Sequence, residues 1–396
     1  MNIALALSGG GFRATVFHLG VLARLAEENR LEDVTLLSTV SGGSLCAGMI
    51  FTLNQYRWPS SPDFIQKVLP EAHRLLTTVD LQAELVRYSL AHFWTIFSSR
   101  ADDLSLLMQK HWGITGKLSD LSESPRWMIN ATCYETGKNW RFEQFRMGDY
   151  RYGYSYDIKN IPLTDALAAS AGFPGLIGAF AIDTTQYKWF KYLENTPGNP
   201  LRASVAEHKQ RKTQAIQPDF DSVHLWDGGA YDNLGLEGVH DFITGWREGV
   251  DFLIVSDGAG RSQPEKYQPG AKATLRLMTG IMMDQVRSLR SRAILERLIN
   301  HGAEDRGGFL QIGNTLSDVL KGSKHANEVA QLTPGCLSEA EAKQAESMPT
   351  VIRKLTQEEF MRLYRHGFEV ADYTLYAYND DQFGYIGFGK AKSSQG

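Results

Sequence analysis

The chain has 396 residues, 43% of them hydrophobic, with 41 Lys+Arg against 45 Asp+Glu and a formal net charge of −4. Apolar content at this level excludes an intrinsically disordered chain, and the length supports a large core without covalent staples. The near-neutral balance argues against a DNA-binding protein held by bulk charge. Cys46, Cys133 and Cys336 are odd in number and far apart. They form neither a disulfide framework nor a zinc spacing, which points to a reducing compartment.

The N-terminus MNIALALSGG has no basic flank and too short an apolar run for a signal peptide. No segment reaches the roughly 18 consecutive apolar residues of a membrane span. The expectation is a cytoplasmic protein that meets lipid, if at all, from the side.

In chain order the pattern begins strand, turn, helix, strand, turn, helix. Ile3–Leu7 is an apolar run that fits a buried parallel strand and ends in Ser8-Gly9-Gly10-Gly11. Phe12, Val16, Leu19, Ala23 and Ala26 then recur at helical spacing. Val34–Val40 is a second apolar strand, broken by Ser41-Gly42-Gly43 and followed by an apolar helix from Leu45 to Leu53. This order predicts a parallel sheet with helices on its faces.

Residues 60 to 125 read as mainly helical and include the apolar stretch Leu85–Phe97. Strands are predicted at Trp127–Thr132 and Asn139–Phe145, and a small-residue helix at 163–172, stopped by Gly172-Phe173-Pro174-Gly175. Further strands fit Val223–Trp226, which enters Asp227-Gly228-Gly229, and Phe252–Ser256, which enters Asp257-Gly258-Ala259. A long helix fits 272–300, a strand 308–313 and an amphipathic helix 356–376, whereas the polar segments 184–221 and 314–354 read as loops. No internal repeat appears. The prediction is one α/β domain over 1–396.

Two glycine turns at adjacent strand ends carry the chemistry, because open α/β sheets bind ligands at the carboxyl ends of their strands. Gly9-Gly10-Gly11-Phe12-Arg13 opens a helix, so its amides converge where the helix end is partially positive. Such a turn suits a phosphate or an oxyanion. A dinucleotide reading of Gly9-x-Gly11-x-x-Ala14 lacks the acid required at the end of the second strand, and no Walker A sequence is present.

The second turn, Thr39-Val40-Ser41-Gly42-Gly43, has the layout of a nucleophile elbow, with Thr39 where the usual motif has glycine. A serine nucleophile needs a base. None of the ten histidines stands at a strand end, and His18 lies inside the first helix. A Ser-His-Asp triad is not supported.

At this point the chain resembles the patatin-like phospholipases, whose catalytic unit is a Ser-Asp dyad. Four blocks carry the likeness: LSGGGFRATVFHLGVL at 7–22, STVSGGS at 38–44, ALAASAGFPGL at 166–176 and WDGGAYDNLGLE at 226–237. The resemblance implies a three-layer α/β/α fold with a mainly parallel central sheet. Its catalytic unit would span about residues 3–260, with 261–396 as a C-terminal elaboration. It implies Ser41 as nucleophile and Asp227 as base. The oxyanion-hole segment would be Gly9, Gly10, Gly11, Phe12 and Arg13, with the amides of Gly10, Gly11 and Phe12 as donors. Neither a metal nor any other cofactor is required.

An unperturbed aspartate, with a pKa near 4, is a weak base at pH 7, but it can take the serine proton if the oxyanion is well stabilised. Asp257-Gly258-Ala259 also follows a buried strand, so Asp257 rivals Asp227. The downstream Asn233-Leu234-Gly235 favours Asp227. Arg13 has two readings, contact with a substrate phosphate or bracing of the loop through carbonyls. Leu85–Phe97 reads either as a buried helix or as a surface that sinks into lipid. Met278, Met282 and Met283 suit packing or a homo-oligomer contact, and Arg287, Arg290, Arg292 and Arg297 form a basic face.

The expected activity is hydrolysis of acyl esters of membrane phospholipids or lysophospholipids, with the enzyme peripheral on the inner membrane. Bacterial patatin-like enzymes of this compact kind are similar to anti-phage effectors that cyclic oligonucleotides switch on. A cyclic-oligonucleotide activator is therefore an expectation by analogy. The competing class is an inactive anion- or nucleotide-binding protein that uses the glycine loop.

Overall fold

A computed structural model describes residues 1–91, 100–193, 211–241, 245–247, 249–262, 264–302 and 304–393. Among the described residues the core is a twelve-stranded sheet. Its strands are β1 (Ile3–Leu7), β2 (Val34–Val40), β3 (Arg126–Cys133), β4 (Lys138–Phe142), β5 (Met147–Asp149) and β6 (Gly153–Ser155), followed by β7 (Phe180–Asp183), β8 (Trp189–Tyr192), β9 (Thr213–Ile216), β10 (Ser222–Asp227), β11 (Phe252–Asp257) and β12 (Arg306–Gln311). The centre runs β12-β11-β1-β2-β3, and every pair in it is parallel. From β3 an antiparallel wing continues through β4, β5, β6, β8 and β9.

The alternation of a strand explains the layers. On β1, Ile3, Leu5 and Leu7 join the core on one face, while Ala4 and Ala6 join a smaller core on the other. The first face is covered by α1 (Gly11–Glu27), α2 (Gly42–Leu53) and the amphipathic α4 (Gln357–Asn379), which lies along α1. Leu234, Leu236 and Val239, with Ile294 of α3 (Met283–Asn300), cover the second. The fold is thus a mixed α/β architecture with a large central sheet between helical layers.

The head of the sheet places the two catalytic candidates together. β2 lies parallel to β3 and ends with Val40 beside Asn130. β10 runs antiparallel to β3 and ends with Asp227 beside Ala131. Two strands therefore meet head-on along one edge of β3, and their carboxyl ends face each other.

Several segments differ from expectation. The polar segment 184–221 contributes β8 and β9, and its residues 194–210 lie outside the described ones. Segment 314–354 carries short helices at Leu316–Leu320, Val329–Leu332 and Glu339–Ser347. Thr315 with Asp318, and Ser338 with Glu341, make reciprocal capping boxes that start the first and last of these. The polarity taken for loop is partly cap chemistry. The helix expected at 272–300 is a helical run from Ala271 with a π turn over Arg276–Met282 before α3. Of the stretch Leu85–Phe97, Leu85 is buried, and residues 92–97 lie outside the described ones.

The basic face is also reassigned. Arg287 pairs with Asp257 at 3.3 Å, Arg290 lies 3.5 Å from Asp232, and Arg297 binds Asp305. Three of the four arginines are drawn to carboxylates packed against α3, because an unpaired guanidinium is costly to bury. Among the described residues, no helix is long and apolar enough to cross a membrane.

Candidate active site

The turn after β2 forces Ser41 to φ 49° and ψ −115°, a left-handed conformation that costs a non-glycine residue about 1–3 kcal/mol. Such strain lifts the side chain off the strand end. Next to it Gly42 runs so close to the first loop that a Cβ would lie 2.3 Å from the Gly11 carbonyl oxygen. The Ser41 amide donates to Ser170 Oγ at 3.0 Å. Ser170 Oγ also donates to the Asn130 carbonyl at 2.7 Å and meets Ser44 Oγ at 2.8 Å. Thr39 Oγ1 continues the chain to Ser44 and accepts from Trp127 Nε1 at 2.9 Å. Threonine at this position is thus a working part of the turn rather than a misfit.

Asp227 is 2% exposed. Its Oδ1 accepts from the Gly229 amide at 2.7 Å. The Ser41 hydroxyl lies against the carboxyl closely enough to favour its charged form, yet Oδ2 is buried without a hydrogen bond of good geometry. Burial dominates and pushes the Asp227 pKa up to about 6. A carboxylate poised there is a better base near neutrality than an ordinary aspartate.

The glycine loop faces this pair. Gly10 and Gly11 take φ 140° and 58°, which only glycine adopts without strain. The Gly9 amide donates to Asn233 O at 3.0 Å and the Phe12 amide to Val351 O at 2.9 Å. The Gly10 and Gly11 amides donate to no protein acceptor among the described residues. Two donors at a helix start are therefore open.

Arg13 is 6% exposed and borders the cavity, but its guanidinium is spent on protein oxygens. Its Nε donates to Gly258 O at 3.1 Å, Nη1 to Met348 O, and Nη2 to Thr350 Oγ1 at 3.3 Å. Of its two readings, the geometry matches bracing through backbone oxygens. Burial, with Arg287 nearby, lowers its pKa to about 10.

The rival Asp257 lies across β1 from β2. Its carboxylate accepts from the Ala259 amide at 3.1 Å and is paired with Arg287. Burial raises its pKa, and the Arg287 charge opposes that rise. His18 sits beneath the loop with Nδ1 2.7 Å from Ser256 Oγ and Nε2 2.9 Å from Ser8 O. Burial lowers its pKa to about 4, so it is a neutral bracket.

Ser41, Asp227, Gly10 and Gly11 line one cavity of about 220 Å³. Leu45, Phe173, Leu176 and Ile177 form an apolar wall. Ser170 is the residue whose role sequence reasoning missed, although its block had been singled out. The loop after it also receives the backbone of Asp227, whose amide donates to Gly172 O at 3.1 Å. Thr350 and Val351 gave no sequence signal, because their contacts span more than 300 residues of chain.

A description of the patatin-like phospholipase family matches residues 5–240, and the chain belongs to that family. Among solved structures, human GIVD cytosolic phospholipase A2 matches with a TM-score of 0.51 at 13% identity, covering 93% of this chain and 58% of that one. The same human enzyme in complex with methyl gamma-linolenyl fluorophosphonate gives a TM-score of 0.48 at 13% identity, covering 93% and 57%. The present chain thus spans little more than half of those structures, and likeness at this identity speaks to the fold. No curated protein matches.

Proposed function

We propose that the protein is a serine lipid acyl hydrolase acting on phospholipids or lysophospholipids, with Ser41 as nucleophile and Asp227 as base. The carrying observation is one cavity lined together by a strained serine, a buried carboxyl whose pKa is raised, and the glycine loop with its two open amides. Ser41 Oγ attacks the ester carbonyl carbon while its proton passes to Asp227. The carbonyl oxygen becomes an oxyanion held by the Gly10 and Gly11 amides. Collapse of this intermediate expels the lysolipid or glycerol alcohol, which takes the proton from Asp227. Water then attacks the acyl-serine, Asp227 accepts its proton and returns it to Ser41 Oγ, and the fatty acid leaves.

The chain is read as one functional unit at a lipid surface, peripheral on the inner membrane. Activation by a cyclic oligonucleotide rests on family analogy alone, and full activity of the purified enzyme without nucleotide would refute it. Against the competing anion-binding reading, the Gly9 and Phe12 amides and the Arg13 guanidinium are committed to protein oxygens. A fluorophosphonate probe decides between the two. Labelling is expected in wild type and lost in Ser41→Ala; an unlabelled wild type sinks the hydrolase.

A further inference from the structure

The helical run preceding α3 is unusual in water. Over Ala271–Met282 it buries no residue. Leu275, Leu277, Met278, Ile281 and Met282 are all exposed, with Met278 at 59% and Met282 at 56%. Tyr267, just upstream, is 81% exposed. A groove of about 1030 Å³ runs between the segment Pro264–Gln268 and this helix. A contiguous exposed apolar surface of this kind marks an interaction site.

Its location says what it meets. Thr279 and Gly280 of the same run, and Met283 at the start of α3, line the candidate catalytic cavity. Leu275 reaches the loop at Gly175, within 3.6 Å of where a Cβ would stand. That loop supplies the apolar wall of Phe173, Leu176 and Ile177. The exposed patch and the acyl-binding wall are therefore one continuous surface.

Charge selects the partner. Between 261 and 284 the chain carries Arg261, Lys266, Lys272 and Arg276 against Glu265 and Asp284. Arg276 pairs with Glu265 and Arg261 with Glu346, so the cations beside the patch are Lys266 and Lys272. Lys266 and Lys272 are exposed beside the apolar side chains. Apolar anchors interleaved with cations suit the headgroup boundary of an anionic bilayer. A second copy of the chain seated here would cover the cavity that a lipid must reach.

Resting on the phospholipid reading above, we propose that Tyr267–Met282 is the membrane-docking element. It seats the enzyme on an anionic lipid surface and passes an acyl chain along Leu176 and Ile177 to Ser41. The test uses the full chain and vesicles of phosphatidylcholine with phosphatidylglycerol. Wild type should co-sediment, and the triple variant Leu277→Ser, Met278→Ser, Met282→Ser should bind at least about tenfold more weakly. With an unchanged melting temperature, its turnover of a water-soluble p-nitrophenyl ester should stay within about twofold of wild type. Lys266→Glu with Lys272→Glu should weaken binding and remove the preference for phosphatidylglycerol.

Unchanged sedimentation of the triple variant would overturn the proposal. So would a wild-type dimer that the triple variant converts to monomers without any vesicle binding by either protein. Vesicle binding by wild type, lost in the triple variant, with no turnover of either substrate would uphold the docking element and refute the hydrolase reading instead.

Discussion

Asp227 is held in a state that favours chemistry over stability. Its carboxyl is buried, and its pKa stands near 6 rather than 3.8. Below about pH 4 the carboxyl is neutral in both folded and unfolded chains. Between pH 4 and 6 only the unfolded chain ionises, so the native state loses stability as pH rises. Above pH 6 the loss amounts to about 3 kcal/mol. Asp227→Asn keeps the acceptor for the Gly229 amide and removes the charge. It should raise the melting temperature at pH 8, and the gain should vanish by pH 4. Turnover should fall at least about 10²–10⁴-fold. In wild type, kcat/KM should climb through pH 6 to a plateau; a profile flat from pH 4 to 8 would remove Asp227 from the base role.

Between elements, α1 and α4 approach each other closely. A Cβ on Gly367 would lie 2.0 Å from the Phe17 carbonyl oxygen, and one on Gly20 would lie 2.0 Å from that of Tyr364. The two backbones are in direct contact, so neither helix can yield to a side chain. Gly367→Ala should therefore cost about 2 kcal/mol or more and lower the melting temperature by several degrees. Thermal unfolding checks this, and an unchanged transition would mean that the helices separate freely. The contact matters for the site because α1 begins at the glycine loop. Whatever shifts α1 shifts the Gly10 and Gly11 amides.

Across the molecule, the family match ends at residue 240, yet the site depends on residues well beyond that point. Gly258 O, Met348 O and Thr350 Oγ1 hold Arg13, and Val351 O holds the Phe12 amide. Residues 261–396 are therefore structurally tied to the loop that would bind the oxyanion. A chain ended after residue 340 would lose the last three of these contacts and α4 together. It should show no cooperative unfolding transition and no fluorophosphonate labelling. Labelling at the wild-type rate would show instead that the loop stands without its strap.

Much of this was legible in local sequence. β1, β2 and β11 are apolar runs that lead into glycine turns. The first turn needs positive φ at Gly10 and Gly11, and the second needs Gly42 and Gly43 to pass close to neighbouring backbone. Ser41 and the glycine loop stand out as candidates from patterns a few residues long, whereas Asp227 as candidate base comes through the family resemblance. Interactions without local periodicity were not legible. Arg13 faced two chemistries until Met348 and Thr350 were found beside it, and the arginines of α3 read as a surface until their carboxylates appeared. The same holds for 271–282, whose leucines and methionines have the composition of a core helix; only the fold leaves them uncovered. A motif encodes what a residue can do with its neighbours in the chain. Which distant groups reach it, and which faces they leave bare, is set by packing, because burial and charge pairing depend on the whole surrounding structure.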